Sequence, residues 1–545
     1  MRGAGTVTRR STPRTRARLL GVLALLTGLL LAGCTGPGSD PNQPDPADPK
    51  TLRVLAGSEL ADLKPILEKA RQETGVSVVL EETGTLEASA KVAGGQADGD
   101  YDALWISSNR YLAMTTDGQD KVATSTKTMT SPVLLGVRPQ AAARLGWSAQ
   151  TPPTWAQIRE AAAGGGFSYA MTNPSASNSG FSTLVAVASA LDGQGTALDA
   201  ARTQAVMPQL AEFFRGQKLT SGSTGWLTEK FVADPAVDGL FSYESTLLSL
   251  NASGQLPEKL VVLAPSDGVV SGDYPLSLLK SAPSDKRAAY DALVDYLRSP
   301  QVQTEIMTTT WRRPMVGGVQ LAPEFGPATT VELPFPATRQ VADDLIAGYL
   351  DKARRPPSTI YVLDVSGSME GDRLGELQSA MSALATPGGT DDFTTFRARE
   401  TITLLPFSSR IGPEQTYVLP ADKPDAELGK VRGRIEGLRA GGQTNLYEAM
   451  FRAYELADQQ VTANPENYVT VVVLTDGQAT GQGPDHFMSG YRERSPAAQK
   501  VPTFAIVFGD GSRAELEQIA KTTGGEVFDG RADLTDAFRT IRGYQ

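Results

Sequence analysis

Cysteine and histidine are almost absent from this chain, which has one of each in 545 residues. A single cysteine excludes an intramolecular disulfide, so core packing is expected to hold the fold together. The scarcity of both residues also argues against a zinc site, because zinc ligands are mainly cysteine and histidine side chains.

Other signatures are missing as well. No long apolar run follows residue 33, so no later segment is expected to span a membrane. The formal net charge is -10 and no basic cluster has interleaved aromatics, which excludes nucleic acid as an expected partner. The chain has no G-x-S-x-G elbow and no phosphate-binding loop, so the sequence predicts no enzyme.

The first 34 residues have the pattern of a secretory signal peptide. Six arginines and no acidic residue precede an apolar run from Leu19 to Ala32, which is too short for a comfortable membrane span. The sequence Leu31-Ala32-Gly33-Cys34 resembles the lipobox of bacterial lipoproteins, in which the cysteine becomes the lipidated first residue. The resemblance implies a lipid anchor at Cys34 on the extracytoplasmic face of the cell membrane. The alternative is a chance cysteine after an ordinary signal peptide.

Composition divides the rest of the chain into three parts. Residues 35–50 are dominated by Pro, Asp and Gly, which predicts a disordered linker. Residues 51–350 and 358–545 are predicted to be two domains, because Pro356 and Pro357 between them disfavour a continuing helix. Strands and helices alternate in both, which predicts an α/β fold with largely parallel sheets.

The periodicity predicts individual elements. In the first domain the predicted strands are 52–55, 76–80 and 103–106, and the predicted helices are 60–74, 183–191, 286–298 and 338–352. In the second domain the predicted strands are 360–363, 401–407, 468–474, 503–508 and 526–528.

Three segments of the second domain carry hard oxygen ligands. Asp364, Ser366 and Ser368 follow one buried strand, Asp476 follows another, and Thr444 lies in a Gly-rich segment between them. Ligand sites of open parallel sheets form beyond the carboxyl ends of the strands. Two carboxylates and three hydroxyls suit Mg²⁺ or Mn²⁺. The alternative is a turn with capping serines and an unrelated loop.

These residues resemble the metal ion-dependent adhesion site of the von Willebrand factor A (VWA) family, and the resemblance covers residues 358 to 545. The DxSxS motif falls on Asp364, Ser366 and Ser368, the distal threonine on Thr444 and the distal aspartate on Asp476. The resemblance implies a doubly wound, Rossmann-like fold. It also implies a metal ion with an open coordination position, which an Asp or Glu of a protein partner completes.

The first domain resembles the two-lobed periplasmic solute-binding proteins that serve transporters. Segments 54–59, 173–180, 243–245 and 266–275 carry this resemblance. Ser58, Ser107, Ser177 and Ser179 are the candidate ligand-binding residues. Ser177 to Ser179 either presents hydroxyl and N–H groups to an anion or caps its own helix.

Together these features predict a membrane-anchored extracytoplasmic binding protein. Its metal site would take a protein partner, and its first domain would take a small polar or anionic solute. The alternative hypothesis is the solute-binding component of an ABC-type transporter with an accessory VWA domain.

Overall fold

The computed structural model describes residues 45–326, 330–387 and 393–545. The chain divides into two compact units, Met1–Asp45 and Pro46–Gln545, and all described residues except Asp45 belong to the second. The predicted signal peptide, Cys34 and most of the predicted linker lie outside the described residues.

The first half of the described chain alternates short strands with helices. Its strands are β1 (Thr51–Gly57), β2 (Ser77–Thr83), β3 (Ala103–Trp105), β4 (Val122–Lys127), β5 (Met129–Val137), β6 (Tyr169–Ala170), β7 (Gln217–Leu219), β8 (Gly239–Tyr243), β9 (Val261–Leu263), β10 (Ser271–Gly272), β11 (Pro275–Leu279) and β12 (Arg313–Pro314). Its helices are α1 (Lys64–Thr74), α2 (Thr85–Ala93), α3 (Arg110–Ala113), α4 (Thr116–Lys121), α5 (Pro139–Leu145), α6 (Trp155–Ala163), α7 (Asn178–Asp192), α8 (Ala200–Phe214), α9 (Thr224–Ala233), α10 (Glu244–Ser253), α11 (Lys286–Leu297), α12 (Pro300–Thr310) and α13 (Arg339–Gly348).

The helix predicted over 60–74 forms in two pieces. A 3-10 segment, Ser58–Leu63, precedes α1, which has Pro65 in its first turn where proline is best tolerated. Gly75 ends α1 with a left-handed φ of 74°, a conformation that glycine adopts without steric cost. Ile66, Leu67 and Ala70 of α1 are buried against the first sheet.

These strands form two sheets and therefore two lobes. The first sheet has the order β2-β1-β3-β11-β4, and the path through the second is β10-β5-β8-β6-β7. The chain enters the second sheet at β5 and returns to the first at β11.

The predicted largely parallel arrangement is wrong for these two sheets, which are mixed. In the first sheet β11 runs antiparallel to both β3 and β4, and in the second β5 runs antiparallel to β8. The prediction assumed that a helix connects each pair of successive strands. No helix lies between β4 and β5 or between β10 and β11.

The second half of the described chain forms one six-stranded sheet. Its strands are β13 (Pro357–Asp364), β14 (Thr401–Phe407), β15 (Gln415–Val418), β16 (Tyr468–Thr475), β17 (Thr503–Val507) and β18 (Glu526–Asp529), and its helices are α14 (Asp372–Leu384), α15 (Asp425–Glu436), α16 (Leu446–Ala463), α17 (Pro484–Arg492), α18 (Arg513–Thr523) and α19 (Leu534–Arg542). The order is β15-β14-β13-β16-β17-β18, and every pair is parallel except β14 with β15.

Helices cover both faces of this sheet. Alternate residues of β13 enter two cores: Tyr361 and Leu363 lie in one, and Ile360 and Val362 in the other. A strand covered on both faces is expected to be mostly apolar, as the run from Val471 to Leu474 in β16 is. The predicted α/β, doubly wound arrangement is confirmed here.

The two halves pack through an aromatic cluster and a buried ionic one. Trp226 of α9 lies 5.3 Å from the Tyr544 ring and 5.8 Å from the Phe504 ring, measured between centroids. Glu400, which precedes β14, accepts hydrogen bonds from Arg354 at 2.6 Å and from Arg542 of α19 at 2.5 Å. The C-terminal segment is therefore built into the contact between the halves.

Candidate functional site

The predicted metal ligands lie at one edge of the second-half sheet. Asp364 is the last residue of β13, and Asp476 comes directly after β16. The two strands are parallel neighbours with Leu363 opposite Leu474, so their carboxyl ends lie side by side. Adjacent strand ends therefore hold the two carboxylates near each other.

Hydrogen bonds link the first segment to the third. The Asp364 carboxylate accepts from the Ser366 N–H at 2.8 Å and from the Thr475 hydroxyl at 2.5 Å. The Ser366 and Ser368 hydroxyls are 3.0 Å apart, and the Ser368 hydroxyl donates to Asp476 Oδ1 at 2.7 Å. One connected network thus contains four of the five predicted residues.

Thr444, the fifth residue, reaches the same place through a Gly-rich loop. The Gly367 N–H donates to the Gly442 carbonyl at 2.9 Å, which holds this loop against the first segment. Gly442 has a φ of 92°, which favours glycine there. The hydroxyl groups of Thr444 and Ser368 both lie close to Gly477. A Cβ atom at Gly477 would be 3.1 Å from the Thr444 Oγ1 and 3.5 Å from the Ser368 Oγ.

The charge at this edge is only partly compensated. Asp364 and Asp476 are 0% and 1% exposed. Burial raises the pKa of Asp364, the neighbouring Asp476 adds to the increase, and hydrogen bonds from Thr475 and Ser366 oppose it. A divalent cation fits this donor set, because it would neutralise both buried carboxylates.

One neighbour of this site was missed by sequence reasoning. Arg373 of α14 donates to Asp476 Oδ2 at 2.7 Å and to the exposed Asp510 at 2.8 Å. Its position after the Asp364–Ser368 segment, at the start of α14, gave no signal that it would reach the second aspartate. Arg373 fixes one oxygen of Asp476, and Ser368 contacts the other.

The candidate solute residues fall in different settings. Ser58 is exposed at the start of the 3-10 segment, whereas Ser107 is fully buried with its hydroxyl 3.0 Å from that of Thr85. Ser177 precedes α7 and makes no side-chain capping bond; its hydroxyl lies 3.1 Å from that of Ser179. The structure thus pairs Ser177 with Ser179 and leaves Ser58 apart.

Sequence reasoning also missed side chains between the lobes. Asn178 donates to the Tyr243 hydroxyl at 2.9 Å, and Ser107 lies beside the same hydroxyl. Glu59, next to Ser58 in sequence, has a carboxylate oxygen that is buried without a hydrogen-bond partner. Glu59, Asn178 and Tyr243 lie within the segments that carry the resemblance to solute-binding proteins, but the sequence pointed only to serines of these segments as candidates.

Comparisons with known families agree with this architecture. The model of the bacterial extracellular solute-binding protein family matches residues 52–309, and the model of the von Willebrand factor type A domain matches residues 359–478. The chain carries both domains. Solute-binding and VWA domains are typically binding modules without catalytic activity, and VWA domains commonly bind a divalent metal.

The similar curated proteins are much longer than the shared region. Inter-alpha-trypsin inhibitor heavy chain H4 of Homo sapiens is 30% identical over 198 residues, which are 34% of this chain and 20% of that protein. Heavy chain H2 of Mus musculus is 25% identical over 128 residues, 23% of this chain and 12% of that protein. The matched part of the chain spans a fifth or less of these two relatives.

Two solved structures are similar to different parts of the chain. The periplasmic binding protein AfuA from Actinobacillus pleuropneumoniae has a TM-score of 0.44 and 11% identity, covering 56% of this chain and 98% of that one. A von Willebrand factor type A structure from Catenulispora acidiphila has a TM-score of 0.28 and 17% identity, covering 35% of this chain and 43% of that one.

Within the described residues, no helix is both long and apolar enough to cross a bilayer.

Proposed function

We propose that this chain is an extracytoplasmic binding protein, held to the cell membrane by a lipid on Cys34, whose VWA domain binds a protein partner through Mg²⁺ or Mn²⁺. The observation that supports it is the convergence of two buried carboxylates and three hydroxyls at the ends of β13 and β16. The family of the first domain, described as extracellular, supports the location.

The chain's own residues have distinct roles in this proposal. Asp364, Ser366, Ser368, Thr444 and Asp476 would hold the ion. The bound ion would supply a positive centre for an Asp or Glu of the partner, since Mg²⁺ prefers six oxygen ligands and rarely takes all of them from one protein. Thr475 and Arg373 touch the two carboxylates from outside this set and keep them oriented.

A pull-down from cell-envelope extract tests the partner directly. The mature protein is used as bait, once with Mg²⁺ and once with EDTA. We expect at least one protein to be retained with Mg²⁺ and released by EDTA. A set of retained proteins that is identical in both conditions would refute metal-dependent binding.

Thr444→Ala should weaken metal-dependent partner binding by about 10-fold, at the low end of the effects seen at metal sites, because it removes one neutral oxygen ligand from a site that keeps both carboxylates. Titration of the captured partner onto immobilised protein in Mg²⁺ measures the change. Thr444→Ser keeps the hydroxyl and should restore most of the affinity. Equal weakening by both substitutions would contradict a role for this hydroxyl.

Cys34→Ala should release the protein from the membrane, because a diacylglyceryl group with an added N-acyl chain is sufficient for stable attachment and a single cysteine offers one place for it. Membrane and soluble fractions of cells are compared by immunoblot. A substituted protein that stays with the membrane would mean that another feature anchors it.

A second proposal is the solute-binding component of a transporter, with the VWA domain accessory. It is favoured by the two lobes of residues 51–314 and the polar side chains buried between them. The two proposals are separable, because in this second case Asp364→Ala should leave solute uptake by cells unchanged. Uptake that depends on Asp364 would instead show that transport requires the metal site.

A further inference from the structure

Polar side chains from both lobes meet in a largely buried cluster, here called the interlobe cluster: Glu59, Ser107, Asn178, Tyr243 and Tyr274. Glu59 follows β1 and Ser107 follows β3 of the first lobe, whereas Asn178 begins α7 and Tyr243 ends β8 of the second. The rings of Tyr243 and Tyr274 are 6.0 Å apart. The cluster therefore spans the cleft between the lobes.

The Glu59 carboxyl group is held inside this cluster. It folds back over Gly57, where a Cβ atom would come within 2.7 Å of Glu59 Oε2, so the carboxyl group lies against the backbone at that position. Glu59 Oε1 is buried and accepts no hydrogen bond, and burial raises the pKa of Glu59, although Arg312 and Ser107 oppose the increase. A buried acceptor left without a partner costs about 1–3 kcal/mol, so a ligand that donates to it would recover this energy.

Arg312 offers little to an anion, because two of its three guanidinium nitrogens are already engaged and only Nε, which is buried, has no hydrogen-bond partner. Its Nη1 donates to the two Asp62 oxygens at 2.8 and 2.7 Å, and its Nη2 donates to the Glu59 main-chain oxygen at 2.6 Å. With Arg312 neutralised by Asp62, the charge left facing the cluster is the carboxyl group of Glu59. An anion would meet this carboxyl group, whereas a cation would be stabilised by it.

The aromatic residues favour the same class of ligand. Tyr243 and Tyr274 are 3% and 0% exposed, and the Tyr274 hydroxyl has no hydrogen-bond partner. The Arg312 guanidinium already lies 5.0 Å from the centre of the Tyr274 ring, so a further cation would be attracted mainly by the Tyr243 ring. The Tyr274 hydroxyl oxygen can accept a further N–H. A group with several N–H donors and a positive charge satisfies both unpartnered oxygens together.

We propose that the cleft between the two lobes binds a small solute through a protonated amine, with Glu59 as its charge partner and Tyr274 as a second acceptor. This inference rests on the proposed solute-binding role of the first domain and names its ligand class. It departs from the expectation of an anion, which depended on serines alone.

Thermal unfolding of the complete mature protein tests the class of ligand. The probes are putrescine, spermidine and histamine, with tetramethylammonium as a cation without N–H groups, and sodium phosphate, sulfate and glucose as the other classes. We expect at least one of the three amines to raise the melting temperature by several degrees, and tetramethylammonium to raise it less.

Substitutions then locate the site. Glu59→Gln should weaken binding of the stabilising amine at least ten-fold by calorimetry, while Glu73→Gln, an exposed acid on α1, should leave it unchanged. Tyr274→Phe removes a hydroxyl without a partner, so it should fold normally and weaken the amine about two- to five-fold. This second variant keeps the test decisive if Glu59→Gln does not fold.

The results separate the two levels of the proposal. Stabilisation by phosphate, sulfate or glucose but by none of the amines would overturn the amine inference and keep the solute-binding role. Amine binding that is equal in the parent, Glu59→Gln and Tyr274→Phe proteins would place the amine elsewhere. No shift with any probe would overturn the amine inference and count against the solute-binding role itself.

Discussion

Asp364→Ala should abolish the stabilisation of this protein by Mg²⁺ and, with it, metal-dependent partner binding. Asp364 lies at the end of β13, fully buried and close enough to Asp476 for the two charges to repel. A bound divalent ion would turn this repulsion into attraction. At a free Mg²⁺ concentration 100-fold above its Kd, the gain would be about 2.7 kcal/mol, which the substitution should remove.

The measurement compares thermal unfolding of the parent and variant in Mg²⁺ and in EDTA, with calorimetric titration of the metal. EDTA should lower the melting temperature of the parent and leave that of Asp364→Ala unchanged. Asp422→Asn, which removes an exposed carboxylate from a loop, serves as the matched control and should behave like the parent. A variant that keeps the full Mg²⁺ response would show that the ion binds elsewhere.

Glu400→Gln should destabilise the protein by about 3–5 kcal/mol, because it leaves two buried guanidinium groups without their anion. The side chains of Arg354 and Arg542 are each 4% exposed, and that of Glu400 is 2% exposed. Arg354 lies just before β13 and Arg542 ends α19, so the loss should loosen the packing of the C-terminal segment on the rest of the chain.

Urea unfolding followed by circular dichroism measures this loss. Glu517→Gln is the control, because Glu517 forms an exposed pair with Arg513 at 2.8 Å within α18. Exposed pairs of this kind contribute about 0.5 kcal/mol or less. Equal midpoints for the two variants would mean that the buried cluster contributes no more than a surface pair.

Limited proteolysis would show where the effect acts. With Arg354 and Arg542 unpaired, cleavage should increase first between 534 and 545. Tyr544 packs there on Trp226, and Gly543 approaches Gly222 so closely that a side chain at 543 would lie 3.1 Å from the Gly222 Cα. Cleavage confined to other loops would show that the ionic cluster does not stabilise the packing of this segment.

The sequence by itself determined the α/β fold class, five of the six strands of the second-half sheet and the grouping of the metal-site candidates. These features are local: strands such as β13 and β16 contain apolar runs, and Asp364 ends β13 while Asp476 comes directly after β16. Parallel neighbours place their carboxyl ends at one edge, so strand order alone brings the two aspartates together. Metal binding by these residues stays a prediction.

Only the tertiary structure decided which side chains meet across long sequence separations. The sequence marked Ser58, but the backbone after β1 exposes it and directs the Glu59 carboxyl group back over Gly57. The antiparallel course of β11 and the pairing of Glu400 with Arg542, 142 residues later, have no local signature either. Periodicity reports which face of an element is buried, whereas the partner on that face depends on how distant elements pack.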